Sequence, residues 1–286
     1  LEARAARVRP GTDDKVLAAW NGLAISGLVA AWRATQHAPA LAMALRVAGF
    51  LRDHMISGDR IARVFHEGPK WSGTGSARPA GSTKELDGTL DDYAFCAQGF
   101  LELAEATGDR AWWDLGSRLL GAVRARFVEE RDGVIIFYMA PAGDSLLVHR
   151  PESHHDAAIP SGAAIATQAL LRVGLVAGDQ DALALAEKYL AQRIAGTTGV
   201  NAWATSALMA ALDLYLHSKV LVAVGPARDA LLAAARRVYA PTLCIAGPWA
   251  QPSVLEGKTA GAYVCTGPVC SPPVSDPAAL AALLAR

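Results

Sequence analysis

The sequence has no excess of either charge, with Lys+Arg and Asp+Glu at 27 each. That removes the basic footprint nucleic acid requires and the polybasic run that draws a protein to anionic membrane surfaces. Its apolar stretches are alanine-rich and interrupted by Arg, Asp or Gly, so none reads as a transmembrane span. Cysteine is scarce, four in 286 residues, too few for a disulfide framework. A reducing, cytoplasmic setting is the default. A phosphate-cradling loop is missing too, because Gly73, Gly75 and Gly81 lie in a Ser/Pro-rich segment rather than between a strand and a helix. HExxH does not occur, and neither a metal nor a cofactor is expected. No signal peptide leads the chain, and its first residue is Leu1 rather than Met, so it is expected to be a processed product or a piece of a longer protein.

What is present is apolar and helical. Hydrophobic residues make up 52% of the chain, enough for one large domain or one domain with an appendage. Seven helices are expected, over 13–35, 40–55, 89–107, 110–130, 161–177, 181–195 and 201–217. Helix one carries two apolar stripes, Val16, Trp20, Leu23 and Gly27 beside Asn21, Ile25, Leu28 and Trp32, which predicts burial on two sides. Thr89 with Asp92 fits the capping-box pattern, and Gly108-Asp109 and Gly178-Asp179 punctuate the ends. A β-hairpin is expected from 134–139 and 146–149 around the turn Pro141–Asp144. After residue 219 short strands at 221–224, 242–246 and 262–265 surround helices over 228–239 and 277–285. The expected organisation is a helical array over 1–219 and a small α/β appendage over 220–286.

Helix pairs joined by turns run antiparallel, so the odd-numbered helices should open their N-termini on one rim. The chemistry-bearing residues gather at those N-termini. They are Asp13, Asp14, Trp20 and Asn21 at helix one, Asp91, Asp92 and Tyr93 at helix three, His154, His155, Asp156 and Ser161 at helix five, and Asn201 and Trp203 at helix seven. Carboxylates among aromatic platforms suit sugar-like ligands, since ring faces pack on the apolar faces of pyranoses. Each residue has a plainer reading. Asp13, Asp14, Asp92 and Asn201 fit as caps, Trp20 as core, and His154 and His155 as solvated loop residues. Ser161 lacks a Ser-His-Asp context. Asp91 is harder to dismiss because one cap already suffices at that helix. Cys265 and Cys270 are spaced C-x4-C, not the C-x-x-C of a thioredoxin-type site, and two ligands are too few for structural zinc.

Taken together, these motifs resemble a known family. Asp13-Asp14-Lys15-Val16-Leu17 with Trp20-Asn21-Gly22-Leu23, Leu90-Asp91-Asp92-Tyr93-Ala94, Asp156 with Pro160-Ser161-Gly162, and Tyr263-Val264-Cys265 with Cys270 and Pro273 are similar, in order, to signatures of the thioredoxin-fused spermatogenesis-associated proteins. The resemblance covers nearly the whole chain. It implies a mainly α fold, an (α/α)6 toroid of the six-hairpin glycosidase and N-acylglucosamine 2-epimerase type, incomplete in this chain. It also implies an upstream thioredoxin-like domain as a partner. Ala157 stands where the family's pattern has Gly, and Ala163-Ala164 where it has Asn-Ser.

The lead expectation is therefore a carbohydrate-active or sugar-binding toroid. Asp91 and Asp156 are the acid/base candidates, with Trp20, Asn21, Asp92, Tyr93, His155, Ser161 and Trp203 as binding residues. The alternative is a non-catalytic module serving the thioredoxin-like domain, with Cys265 and Cys270 as a redox pair.

Overall fold

The computed structural model describes residues 2–5, 7, 15–66, 86–143, 147–195 and 202–285. Asp13, Asp14, Asn201, the glycines at 73, 75 and 81, and Leu146 lie outside the described residues. Seven helices form the array: α1 (Ala18–Thr35), α2 (Ala38–Phe50), α3 (Leu90–Thr107), α4 (Arg110–Arg126), α5 (Gly162–Ala177), α6 (Gln180–Ala195) and α7 (Ser206–His217). The stop signals work as the composition dictates. Gly108 and Gly178 adopt φ of 78° and 76° and end α3 and α5 in the left-handed conformation open to glycine. Asp109 caps α4 by accepting from the Ala111 N–H at 2.9 Å. α2 continues into one π-helical turn over Leu51–Met55.

The turns at 36–37, 108–109 and 178–179 fold α1/α2, α3/α4 and α5/α6 into hairpins. α1, α3, α5 and α7 then pack side by side as the inner layer, with α2, α4 and α6 outside. The fold is a mainly α, (α/α) toroid-type array. α3 and α5 are buried on nearly every side, whereas α1 exposes one flank through Trp20, Ala24, Gly27 and Ala31. The apolar stripe through Trp20 and Gly27 is thus a correction to the expected two-sided burial. The face that packs is Ala18, Ala19, Gly22, Ile25 and Val29. These small residues let the backbones touch. A Cβ on Gly22 would stand 2.6 Å from the Cys96 nitrogen, and one on Gly99 would stand 2.9 Å from the Gly22 carbonyl oxygen. Gly22→Ala should therefore lower stability by about 1–3 kcal/mol through overpacking, read as a lower denaturant midpoint in urea. An unchanged midpoint would show that α1 and α3 can separate without cost.

α1 begins later than expected. Val16–Leu17 (β1) leave the helix to pair antiparallel with Val64–Phe65 (β4), which holds the loop after α2 against the start of α1. Ile56–Ser57 (β2) and Arg60–Ile61 (β3) form a second small ladder. The expected hairpin is also corrected. Its strands are Val128–Arg131 (β5) and Val134–Phe137 (β6), and α4 stops at Arg126. Asp132 and Gly133 form the turn with φ of 52° and 80°, the Asp-Gly signature of a tight two-residue hairpin.

The C-terminal strands form one sheet in the order β10 (Val269–Cys270), β9 (Gly261–Thr266), β7 (Lys219–Val224), β8 (Leu243–Ile245). β7 and β8 are parallel, as the crossover helix α8 (Arg228–Ala235) requires. Alternation along the strands sorts the side chains. Val222, Cys244, Tyr263 and Cys265 join the core of the helical array, while Leu221, Ala223, Leu243, Ile245 and Val264 pack on α8 and α9 (Pro277–Leu284). Trp249, in the loop after β8, stacks on Trp113 of α4 with centroids 4.8 Å apart. Among the described residues no helix is long and apolar enough to cross a membrane.

Candidate functional site

The inner helices open on one rim, and three aspartates join them there. Asp92 lies in the first turn of α3. Its Oδ2 accepts from the Thr89 N–H (2.8 Å) and hydroxyl (2.9 Å) in the expected capping box, and its Oδ1 accepts from the Ala19 N–H of α1 at 2.9 Å. Asp91, its neighbour, accepts from the Gly162 N–H that opens α5. A side chain at 162 would collide with the Asp91 carboxylate, which fixes the need for glycine there. Asp156 continues the series, accepting from the Ser161 N–H before α5 and the Ala207 N–H of α7, both at 2.8 Å. Helix N-termini carry free N–H groups and a positive dipole end, so a carboxylate is the natural joint between two of them. Four helices are linked in a row by three side chains.

This geometry sorts the sequence candidates. Asp92 is buried with both oxygens occupied, so its place is in the scaffold and not on a ligand-facing wall. Tyr93, expected as a wall, is fully buried. Its hydroxyl donates to Asp87 (2.8 Å) and accepts from Arg126 (2.5 Å), and burial first, then Asp87, pushes its pKa up to about 12. Ser161 is buried and serves as the α5 N-cap, accepting from the Ala164 N–H at 3.3 Å. Asn21 donates to the Leu17 carbonyl at 2.8 Å and closes the first turn of its own helix. Asp156 is half-buried with each oxygen accepting from a helix amide, so it joins α5 to α7. Asp92, Ser161 and Asp156 share one feature: a polar residue at a helix N-terminus answers first to the orphan amides beside it.

Asp91 is different. Burial raises the Asp92 pKa too, but three donors hold that carboxylate, whereas among the described residues Asp91 has one, the Gly162 N–H. Burial first, and then the Asp92 charge, raise the Asp91 pKa to about 6, against the pull of Arg63 and the Gly162 amide. Arg63, which the sequence reading passed over, comes from the loop after α2, and its carbonyl accepts from the Ala18 N–H at 3.0 Å. The β-branched run around it gave no hint that a cation would reach this rim. Trp20 and Trp203 are exposed at 61% and 89%, so both rings can meet a ligand. His155 is exposed beside His154, whose imidazole pairs with Glu152. Burial, with Arg193, lowers the His154 pKa. Cys265 and Cys270 face each other across β9 and β10 and form a disulfide, far along the chain from the aspartates. Among the described residues no cluster of His, Cys, Asp or Glu could hold a metal ion.

With this geometry in place, comparison with known proteins is informative. Human spermatogenesis-associated protein 20 is 28% identical over 99% of the chain. The chain is similar to that protein along almost its whole length. It spans only 38% of the relative's own length, so the relative carries a great deal more than this toroid-type array. Among solved structures, a GH76 alpha-mannanase from Bacteroides thetaiotaomicron matches with a TM-score of 0.51 at 17% identity, covering 73% of this chain and 54% of that one. A sugar epimerase from a ruminal bacterium overlaps at a TM-score of 0.47 and 20% identity, covering 65% of this chain and 46% of that one. The mannanase likeness bears on the fold alone. No protein-family model matches.

Proposed function

We propose that the rim around Asp91 binds a carbohydrate and that Asp91 transfers a proton there, in a glycosidase-like or epimerase-like reaction. The observation that carries this reading is a carboxyl group kept desolvated, with a pKa near 6, at the rim of a toroid. Burial raises the Asp92 carboxyl as well, but its oxygens are held by the Ala19 and Thr89 donors, whereas among the described residues Asp91 accepts only from the Gly162 N–H. An acid that keeps its proton towards neutral pH can donate to a leaving oxygen, and once ionised can act as a base. Trp20, Trp203 and His155 offer the exposed rings and imidazole that would hold a sugar. The toroid shared with a mannanase makes alpha-mannosides the first substrates to try, as a fold-level analogy. The test is thermal-shift screening of free hexoses and alpha-mannosides, followed by turnover of any binder with wild type and Asp91→Asn. Binding kept and turnover lost in the variant supports the reading. Turnover unaffected by the variant removes Asp91 from it.

A second reading rests on the Cys265–Cys270 disulfide. In it the chain serves a thioredoxin-like domain: a thiolate of that domain's dithiol attacks the disulfide, a mixed disulfide forms, and the second thiol resolves it. Two electrons and two protons pass to Cys265 and Cys270 as the dithiol becomes a disulfide. Burial holds the Cys96 thiol well above its ordinary pKa and raises Cys244 to about 11, which keeps both out of the exchange. Thiol titration in denaturant should count two thiols in the isolated protein and four after reduction by thioredoxin. Two thiols in both states would end this reading.

A further inference from the structure

A cavity lies at the opposite end of the inner helices from the aspartate rim. It has a volume of about 410 Å³, is open to solvent on one side, and is lined by the last turns of α1, by Glu102 of α3, by Arg172 of α5, and by the segment from Ala235 to Ile245 that runs from α8 into β8. Its charge does not balance. Arg33, Arg172, Arg236 and Arg237 line it, against Glu102 alone. Just beneath, Glu105 is fully buried and takes both Arg33 (3.1 Å) and Arg172 (2.7 Å). Counting Glu105 with the lining leaves four cations for two carboxylates, a surplus of two positive charges.

Arg236 is the least satisfied of the four. Its guanidinium lies over the Trp32 ring at 5.0 Å and donates to the Ala106 carbonyl at 3.0 Å. Among the described residues no carboxylate forms an ion pair with it, and burial, with repulsion from Arg33 and Arg228, lowers its pKa. The Nε atoms of Arg33, Arg172 and Arg236 are buried without a hydrogen-bond partner, and Arg172 is only 4% exposed. Holding several guanidinium groups together with too few counter-charges is costly unless an anion completes the set. The rest of the wall is apolar, from Val29, Ala30, Pro241, Leu243 and Ile245, and the Tyr239 ring stands exposed at the entrance.

The geometry points to a binding site for a small organic phosphate in this cavity. Planar guanidinium forks match phosphate oxygens, a phosphate monoester carries close to the two negative charges the cluster lacks, and the volume leaves room for an organic group against the apolar wall. The proposal is independent of the chemistry at Asp91.

Isothermal titration of the whole chain with inorganic phosphate, glucose 6-phosphate, AMP, succinate and glucose tests it. At least one phosphate ester should bind more tightly than inorganic phosphate or succinate, glucose should be silent, and affinity should fall with added salt. Arg237→Ala, at an exposed position, should weaken that binding by about tenfold, as should Arg33→Gln. No heat from any phosphate at roughly 10 mM overturns the proposal, as does binding that neither variant weakens.

Discussion

Asp92→Ala is expected to cost about 4 kcal/mol of folding stability, a large share of what a domain of this kind has to lose. The substitution leaves the N–H groups of Ala19 and Thr89 without their acceptor, together with the Thr89 hydroxyl. Asp92 is 2% exposed and the Ala19 N–H is buried with it, a stranded donor of the kind that costs roughly 1–3 kcal/mol, while the half-buried Thr89 loses its reciprocal cap at about 1 kcal/mol more. Asp156→Ala breaks two comparable bonds at a half-buried site, where solvent can replace the carboxylate. Its expected cost is nearer about 1 kcal/mol, that of an ordinary lost cap. Urea unfolding of both variants checks the ordering. Equal losses would mean that burial does not separate these two joints.

Asp91→Asn is expected to do the opposite and stabilise the protein at neutral pH. The folded state holds the Asp91 proton up to about pH 6, while in the unfolded chain the group ionises near 3.8. Folded Asp91 therefore binds protons that the unfolded chain has already released. The stability it contributes is greatest below about pH 4, falls as pH rises from about 4 to 6, and stays at the lower level above that. The asparagine variant does not titrate, so its advantage should open through that window and reach up to about 3 kcal/mol at pH 7.5. It keeps an oxygen for the Gly162 N–H. Unfolding curves at pH 4 and pH 7.5 for both proteins give the difference directly, and other groups largely cancel in it. A gap that is the same at both pH values would show that Asp91 ionises like a surface carboxylate. A residue that costs stability where the protein works is typical of one retained for activity.

Much of this architecture is visible in the residues. Helix ends at Gly108, Gly178, Thr89 and Ser161 follow from local chemistry, and the strands of the C-terminal sheet from short β-branched runs, so both can be read without tertiary knowledge. The convergence of polar residues on one rim follows from antiparallel pairing. What the sequence does not encode is which amide each carboxylate will meet. Asp91 and Asp92 are adjacent and alike, yet one bonds to α5 and the other to α1. Their different fates come from contacts with Gly162 and Ala19, far away in the chain. The burial of Tyr93 is hidden from the sequence for a similar reason, because its partners Asp87 and Arg126 come from either side of it in the chain and meet only in the fold. The Asp132-Gly133 turn, by contrast, was legible all along and was passed over for a Pro-Gly loop nearby.

The aspartate joints hold mainly main-chain amides, the Thr89 hydroxyl on Asp92 being the exception among the bonds described. Residues 86–89 lead into α3 and residues 147–161 into α5, at the helix ends where these joints sit. Because the helix starts are pinned by the backbone, those segments are free to differ in length and residue type without loosening the helices they connect. The array behaves like a chassis with sockets. Exchanging the loop before α5 between relatives, with Asp156 and the Ser161-Gly162 pair kept, should transplant ligand preference while leaving the melting behaviour of the host almost untouched.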